Sequence, residues 1–203
     1  MPLFAPTMST EKDALLAQLE HSIQNARDVF FELDIDQLRA KPIASSELTL
    51  GWLLLHMGEV VDGWGKRAAS GPVDPFAGMT AAGAMREADA ATAIGEGETA
   101  ADLLRRFDEY TAAGLRAFAS ADIDAEVAVP DAPWFPEGME NFNVRWTFHH
   151  VLEELHRHSG HADILREAVD GAQMYELRSR AEDIDMSYIE KWFAAHADEL
   201  YAG

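Results

Sequence analysis

The chain has 203 residues, 48% of them hydrophobic, with 16 Lys plus Arg against 36 Asp plus Glu and a formal charge of −20. That length supports one core without staples, and a surface this acidic repels phosphate backbones and anionic membranes, which argues against nucleic-acid or membrane partners. With no cysteine in the chain, disulfides, thiolate metal sites and a cysteine nucleophile are excluded, so any thiol chemistry must use a thiol brought from outside.

The opening MPLFAPTMST has neither a basic n-region nor a long apolar stretch, so no signal peptide is expected. The longest apolar candidate, around 50–57, is interrupted by His56, and no segment has the ~18 apolar residues of a membrane span. The expectation is one soluble, cytoplasmic domain over 1–203. Helical periodicity then takes over. Ser9 or Thr10 caps a first helix over 11–33, where Leu15, Leu16, Leu19, Ile23 and Val29 share a face. Residues 34–46 are mixed, with Pro42 and a Ser-Ser-Glu start signal. A second helix over 48–70 carries Trp52, Leu53, His56, Val60 and Trp64 and ends at Gly71-Pro72. The Gly-, Ala- and Pro-rich stretch 71–98 has room for a short helix near 80–91.

Thr99 with Asp102 reads as a capping box for a third long helix to 118. Residues 120–142 hold Pro130, Pro133 and Pro136 and exposed-looking aromatics, which predicts a long loop or small hairpin. The fourth long helix spans 143–169 and stops at Gly171. A short helix over 187–200 closes the chain. The fold class is therefore all-α, a four-helix bundle with a short C-terminal helix. The 28-residue link 71–98 is far longer than the ~2–8 residues that join antiparallel neighbours. It can carry the chain back along the bundle, making the topology up-down-down-up.

Five of the eight histidines, at 149, 150, 156, 158 and 161, fall in 13 residues of the fourth helix, where an even spread would place roughly half of one. At ~100° per residue, His150, Val151, His158, His161 and Leu165 lie within ~60° of Glu154, on a ridge that should face the core. His149 and His156 land opposite, towards solvent. Burying such a ridge is costly unless its members are paired or coordinate something. Glu154 and His158, at i and i+4, can clasp one divalent cation, and His56 points inward from the second helix. His56, Glu154 and His158 make a two-His, one-carboxylate set with open positions. Its N and O donors suit zinc, with nickel, iron and manganese as alternatives. An inward His is more often a hydrogen-bonded core residue, and Glu-x3-His more often a solvated pair, so the spacing needs support from a wider pattern. The chain has no H-E-x-x-H, G-x-S-x-G, Walker A or G-x-G-x-x-G. Its single E-x-x-H lacks the second copy that a di-iron bundle needs. Trp52, Trp64 and Trp146 read as core packing.

The wider pattern is in two segments, Leu48-Thr-Leu-Gly-Trp-Leu-Leu-Leu-His56-Met and Glu154-Leu-His-Arg-His158-Ser-Gly-His161-Ala-Asp-Ile-Leu-Arg166-Glu. They resemble the DinB-like superfamily, closest to the branch of mycothiol-dependent transferases and mycothiol-dependent maleylpyruvate isomerase. The resemblance covers roughly 10–171. It implies an up-down-down-up bundle holding one metal through a second-helix His and two fourth-helix ligands at i, i+4, which map to His56, Glu154 and His158. Glu154 matches the isomerase branch, where many other members have His. His161 stands where many relatives have Gln and is open to three roles, namely fourth ligand, hydrogen-bonding neighbour of the ligands or general base. The chain carries no counterpart of the isomerase's extra C-terminal domain, so that substrate is not implied.

The chemistry this implies is a thiol S-transfer, with mycothiol as cosubstrate, a small-molecule electrophile as partner and a metal-bound thiolate as nucleophile. Detoxification is the expected setting, and relatives are often homodimers. The loops 71–98 and 120–142, with Trp134, Phe135 and Phe142, are candidates to wall the electrophile pocket. Arg145, Arg157 and His161 are candidates to meet the hydroxyls of mycothiol, although Arg157 also reads as an ordinary solvated charge. Two other readings stand beside this one. The first is a metal-dependent hydrolase with His161 or Glu59 as base, the second a non-catalytic metal-binding module.

Overall fold

The computed structural model describes residues 3–132, 135, 136 and 138–200. Four long helices form the bundle, namely α1 (Glu11–Asp28), α3 (Leu50–Ser70), α5 (Ala100–Ser120) and α6 (Val144–Asp170). Around them lie α2 (Ile35–Arg39), α4 (Ala81–Thr92), α7 (Met174–Glu182), α8 (Ser187–Ala195) and α9 (Ala197–Leu200), with one antiparallel pair of two-residue strands, β1 (Glu126–Val127) and β2 (Phe142–Asn143). No helix among the described residues is long and apolar enough to cross a membrane.

Local chemistry sets most of the boundaries. Thr10, Thr49, Thr80 and Asn143 each accept a backbone N–H at their helix start, and Thr99 with Asp102 forms the expected capping box. Gly171 ends α6 at φ 80°, the left-handed position that glycine takes without strain. The second helix starts at Thr49 rather than at the serines before it. The first helix stops at Asp28, short of the expected 33, and Glu32 takes a φ of 59°. The cause lies on another helix. Buried Arg166 of α6 donates to the carbonyls of Val29 (2.7 Å) and Phe31 (2.8 Å), satisfying acceptors that a longer helix would have used. Asp34 and Gln37 then form a capping box for α2, an element the mixed composition of 34–46 conceals.

Side-chain pairs fix the direction of each helix. Glu11 meets Arg145, Ser22 meets His156 and Val29 meets Arg166, so α1 and α6 are parallel. Lys12 reaches the carbonyls of Ala119 and Ala121, while Arg27 pairs with Asp108, so α1 and α5 are antiparallel. Along α3, Gly51 abuts Leu103, Gly58 abuts Phe107 and Gly65 abuts Gly114, so α3 and α5 are parallel. Trp52 and His56 face His158, and Trp64 faces Trp146, so α3 and α6 are antiparallel. The order is up-down-down-up, as the long link predicts. That link crosses with α4 in it and is tied down where it arrives, since Arg106 donates to the carbonyls of Ala91 (2.7 Å) and Ala93 (2.9 Å).

The core runs along the bundle axis through Leu19, Phe30, Leu53, Leu54, Met57, Phe107, Phe118, Phe148 and Leu155. The aromatics of 120–142 are less exposed than their composition suggests. Phe142 is buried and stacked on Trp146 at 3.7 Å, and Phe135 packs on Phe142 at 5.6 Å, so these two rings serve the core instead of lining an open pocket. Trp134 and Pro133 lie outside the described residues. Past Gly171, α7 was not expected from the sequence. It docks through Leu177 and through a nearly fully buried Arg178–Asp28 ion pair at 3.4 Å.

Candidate metal centre

The facing sides of α3 and α6 bring three donors together. His56 Nε2 lies 3.9 Å from Glu154 Oε2, and His158 Nε2 lies 3.3 Å from the same oxygen. One ligand atom from each of the three falls within 4.8 Å of the others, and among the described residues theirs is the one acidic or histidine cluster with this spacing. A common centre therefore lies within about 2.8 Å of all three. Tetrahedral ligands at ~2.0–2.2 Å from a zinc-like ion sit roughly 3.4 Å apart, so the observed spacing fits after side-chain adjustments of tenths of an ångström.

The surroundings hold these rings in place. Trp52, one turn before His56, stacks on it at 4.6 Å with the planes 10° apart, and His56 meets His158 edge-on at 4.7 Å. Burial, reinforced by His158 and opposed by Glu154, lowers the His56 pKa to about 4. Burial also lowers the His158 pKa, again against Glu154. Both imidazoles are thus disposed to be neutral at neutral pH, with a lone pair free for a cation. The cluster is not at the bundle centre. All three side chains keep between 15% and 25% of their surface exposed, because the apolar face of α6 runs through Phe148, Val151, Leu155 and Ala162, one position round the helix from the ridge. The ridge expected in the core instead sits beside it, partly open to solvent.

The remaining candidates separate. His161 is at the rim, exposed, with Nδ1 3.4 Å from His158 Nδ1. His150 lies one turn from Glu154, stacked on Trp146 at 4.9 Å and edge-on to Trp64 at 4.7 Å. Glu59 is not brought to the cluster. It lines a separate cleft of about 270 Å3 with Lys66, Arg67 and residues of α4, where burial and Asp62 raise its pKa. Arg145 is committed to Glu11 (2.7 and 3.1 Å) and Asp124 (2.9 Å) at the start of α6, and Arg157 pairs with Glu153 (2.9 Å) on an exposed face. His149 is exposed, as expected. His156 is not simply solvent-facing, because its Nε2 lies 3.0 Å from Ser22 Oγ. In a ring of four helices α6 has neighbours on two flanks, so the side opposite Glu154 meets α1. Sequence reasoning treated Trp52 as packing alone, although its i, i+4 spacing from His56 already permitted the stack.

The family model of the mycothiol-S-transferases matches residues 14–171. The matched span runs from within α1 to the end of α6, includes His56, Glu154 and His158, and leaves α7 to α9 outside. Neither curated proteins nor solved structures give a significant match.

Proposed function

Because the chain belongs to the mycothiol S-transferase family, we propose that it joins the thiol of mycothiol to a small-molecule electrophile in a reaction that requires a divalent metal held by His56, Glu154 and His158. The observation that carries this reading is that His56, Glu154 and His158, all partly exposed, each bring one ligand atom within 4.8 Å of the others. These residues would hold a divalent ion, which would supply Lewis acidity favouring the thiolate form of a bound thiol at neutral pH. The donor set suits zinc, with nickel, iron and manganese as alternatives.

The chain's own residues do the rest. Trp52 fixes the plane of the His56 ring, and Glu154 faces both histidines with one oxygen. His161, at the rim beside His158, accepts from His158 Nδ1–H and so leaves His158 Nε2 its lone pair, while the proton that the thiol gives up passes to solvent. Sulfur then bonds to the electrophilic carbon, and that carbon's bond to halide or epoxide oxygen breaks. A halide leaves as the anion, whereas an epoxide oxygen takes up a proton. His150, one turn from Glu154, continues into an aromatic ridge with Trp146 and Trp64 that offers a surface for the electrophile.

The test is an assay of purified protein with a haloaromatic or epoxide, with and without mycothiol, before and after chelation, alongside metal analysis of the wild type, His56→Ala and His158→Ala. The expected result is turnover that needs both thiol and metal, with metal lost in both variants. Turnover of esters or amides without thiol, slowed by added thiol, would replace this reading with a hydrolase. Equal metal content in all three proteins would remove the site.

A further inference from the structure

The last helices leave an aromatic stripe uncovered. Residues 187–200 form one nearly continuous rod, because the His196 N–H donates back to the carbonyls of Trp192 and Phe193, and the Leu200 N–H to that of His196. At ~100° per residue, Tyr188, Ile189, Trp192, Phe193 and Leu200 share a stripe about 140° wide. No residue of α8 is buried, and Tyr188, Trp192, Phe193 and Leu200 keep 47–53% of their surface exposed. His196 stacks on Trp192 at 4.3 Å, so the stripe is already ordered in the single chain. A patch of large side chains this open marks a contact surface. All of it lies outside the span matched by the family model.

The bundle carries a complementary surface. A shallow groove runs along the outside of α1 and α5, away from the α3–α6 side that holds His56, Glu154 and His158, with Ala101, Leu104 and Ala112 as its apolar part. Three arginines line it against two acids. Arg27 pairs with Asp108 and Arg105 with Glu109, whereas Arg116 has no partner among the described residues. The stretch 182–200 has six acids and one lysine. Stripe against stripe would set like charges together, while stripe in groove sets that acidity beside a free arginine. The lengths agree as well, since Ser187–Leu200 is about 21 Å long and Ala101–Arg116 about 24 Å as helix. Glu182, at the end of α7, acts electrostatically on Arg27 in the groove wall, so the rod is rooted beside the groove. Within one chain the two do not meet, because no residue of α8 lines the groove or is buried. Surfaces that are neighbours on one chain can both be satisfied about a single twofold axis. We infer that two copies of this chain associate by each laying α8 and α9 into the α1–α5 groove of the other. This inference is independent of the metal centre and of thiol transfer.

Sedimentation equilibrium of the full chain tests it, with the wild type beside two surface variants. At about 50 μM the wild type should show twice the 22.4 kDa mass of one chain. Trp192→Ala removes the largest ring of the stripe and Arg116→Glu reverses the free charge of the groove. Each should weaken self-association at least about tenfold, and both, being changes at exposed positions, should keep the wild-type circular dichroism. An equimolar mixture of the two variants should be heavier than either alone, because the mixed pair retains one intact helix facing one intact groove. A monomeric wild type would overturn the inference, as would a mixture no heavier than its components. Dimerisation that survives Arg116→Glu but not Trp192→Ala would overturn it in favour of stripes pairing with each other, and survival in Trp192→Ala would remove the stripe from the interface.

Discussion

One hydrogen-bond-length contact decides how His158 is held. Its Nε2 faces Glu154 while its Nδ1 lies 3.4 Å from His161 Nδ1, so His161 can fix which nitrogen of His158 carries the proton. Partners of this kind are worth ~10–100-fold in metal affinity or activity. His161→Ala should therefore keep the fold and bind zinc more weakly by about that factor, measured by competition with a chelator. Unchanged zinc affinity and turnover would leave His161 without a role. On the other flank of α6, His21 gives a pH signature. Its pKa is lowered in the folded chain, chiefly by burial, so below about 6.5 the unfolded chain binds the proton more readily. The contribution of neutral His21 to stability is present above that pH and is lost as pH falls. The urea midpoint should drop between about pH 7.5 and pH 5, and His21→Gln should make that drop shallower.

At the scale of elements, glycine decides how close α3 and α5 come. A Cβ on Gly65 would lie 2.8 Å from Gly114 Cα and 2.9 Å from its carbonyl oxygen, both backbone atoms that cannot move aside. Gly65→Ala should cost about 1–3 kcal/mol or more in urea unfolding. Gly160, in α6 with nothing within 4 Å of its Cβ position, is the contrasting case. Gly160→Ala should add about 0.5–1 kcal/mol, because a helix interior favours alanine and nothing is displaced. The same contrast explains what the sequence made legible. Capping residues act over three or four positions, so Thr99–Asp102, Asn143 and Gly171 could be read directly. The early end of α1 depends on Arg166, more than 130 residues away, and the docking of α7 depends on Asp28. Neither leaves a local trace. The three donors were legible for a similar reason. Glu154 and His158 are helical neighbours, and their ridge with His56 follows from periodicity, whereas the offset of that ridge from the core depends on where α3 sits.

Across the whole molecule, the net charge of −20 opposes the counterion release that drives non-specific binding to nucleic acid. Even in low salt, where such binding is strongest, a gel-shift with duplex DNA at micromolar protein should show no retarded band. The acidity is not evenly matched inside the fold. Arg166 and Arg178 are among the few cations buried, each with a carboxylate partner, and both join α1 to the C-terminal third of the chain.

The parallel pairing of α1 with α6 has a consequence for biosynthesis. A ribosome releases α1, α3 and α5 well before α6, so for most of translation α1 lacks the helix that covers its Ser22 and Val29 flank. His56 likewise leaves the exit tunnel about a hundred residues ahead of Glu154 and His158, and at ~5–20 residues per second that is a wait of seconds. A nascent chain that has not yet delivered α6 carries one of the three donors. On the proposed reading the three ligands are complete only once α6 has emerged, so a chain terminated before α6 would lack two of them.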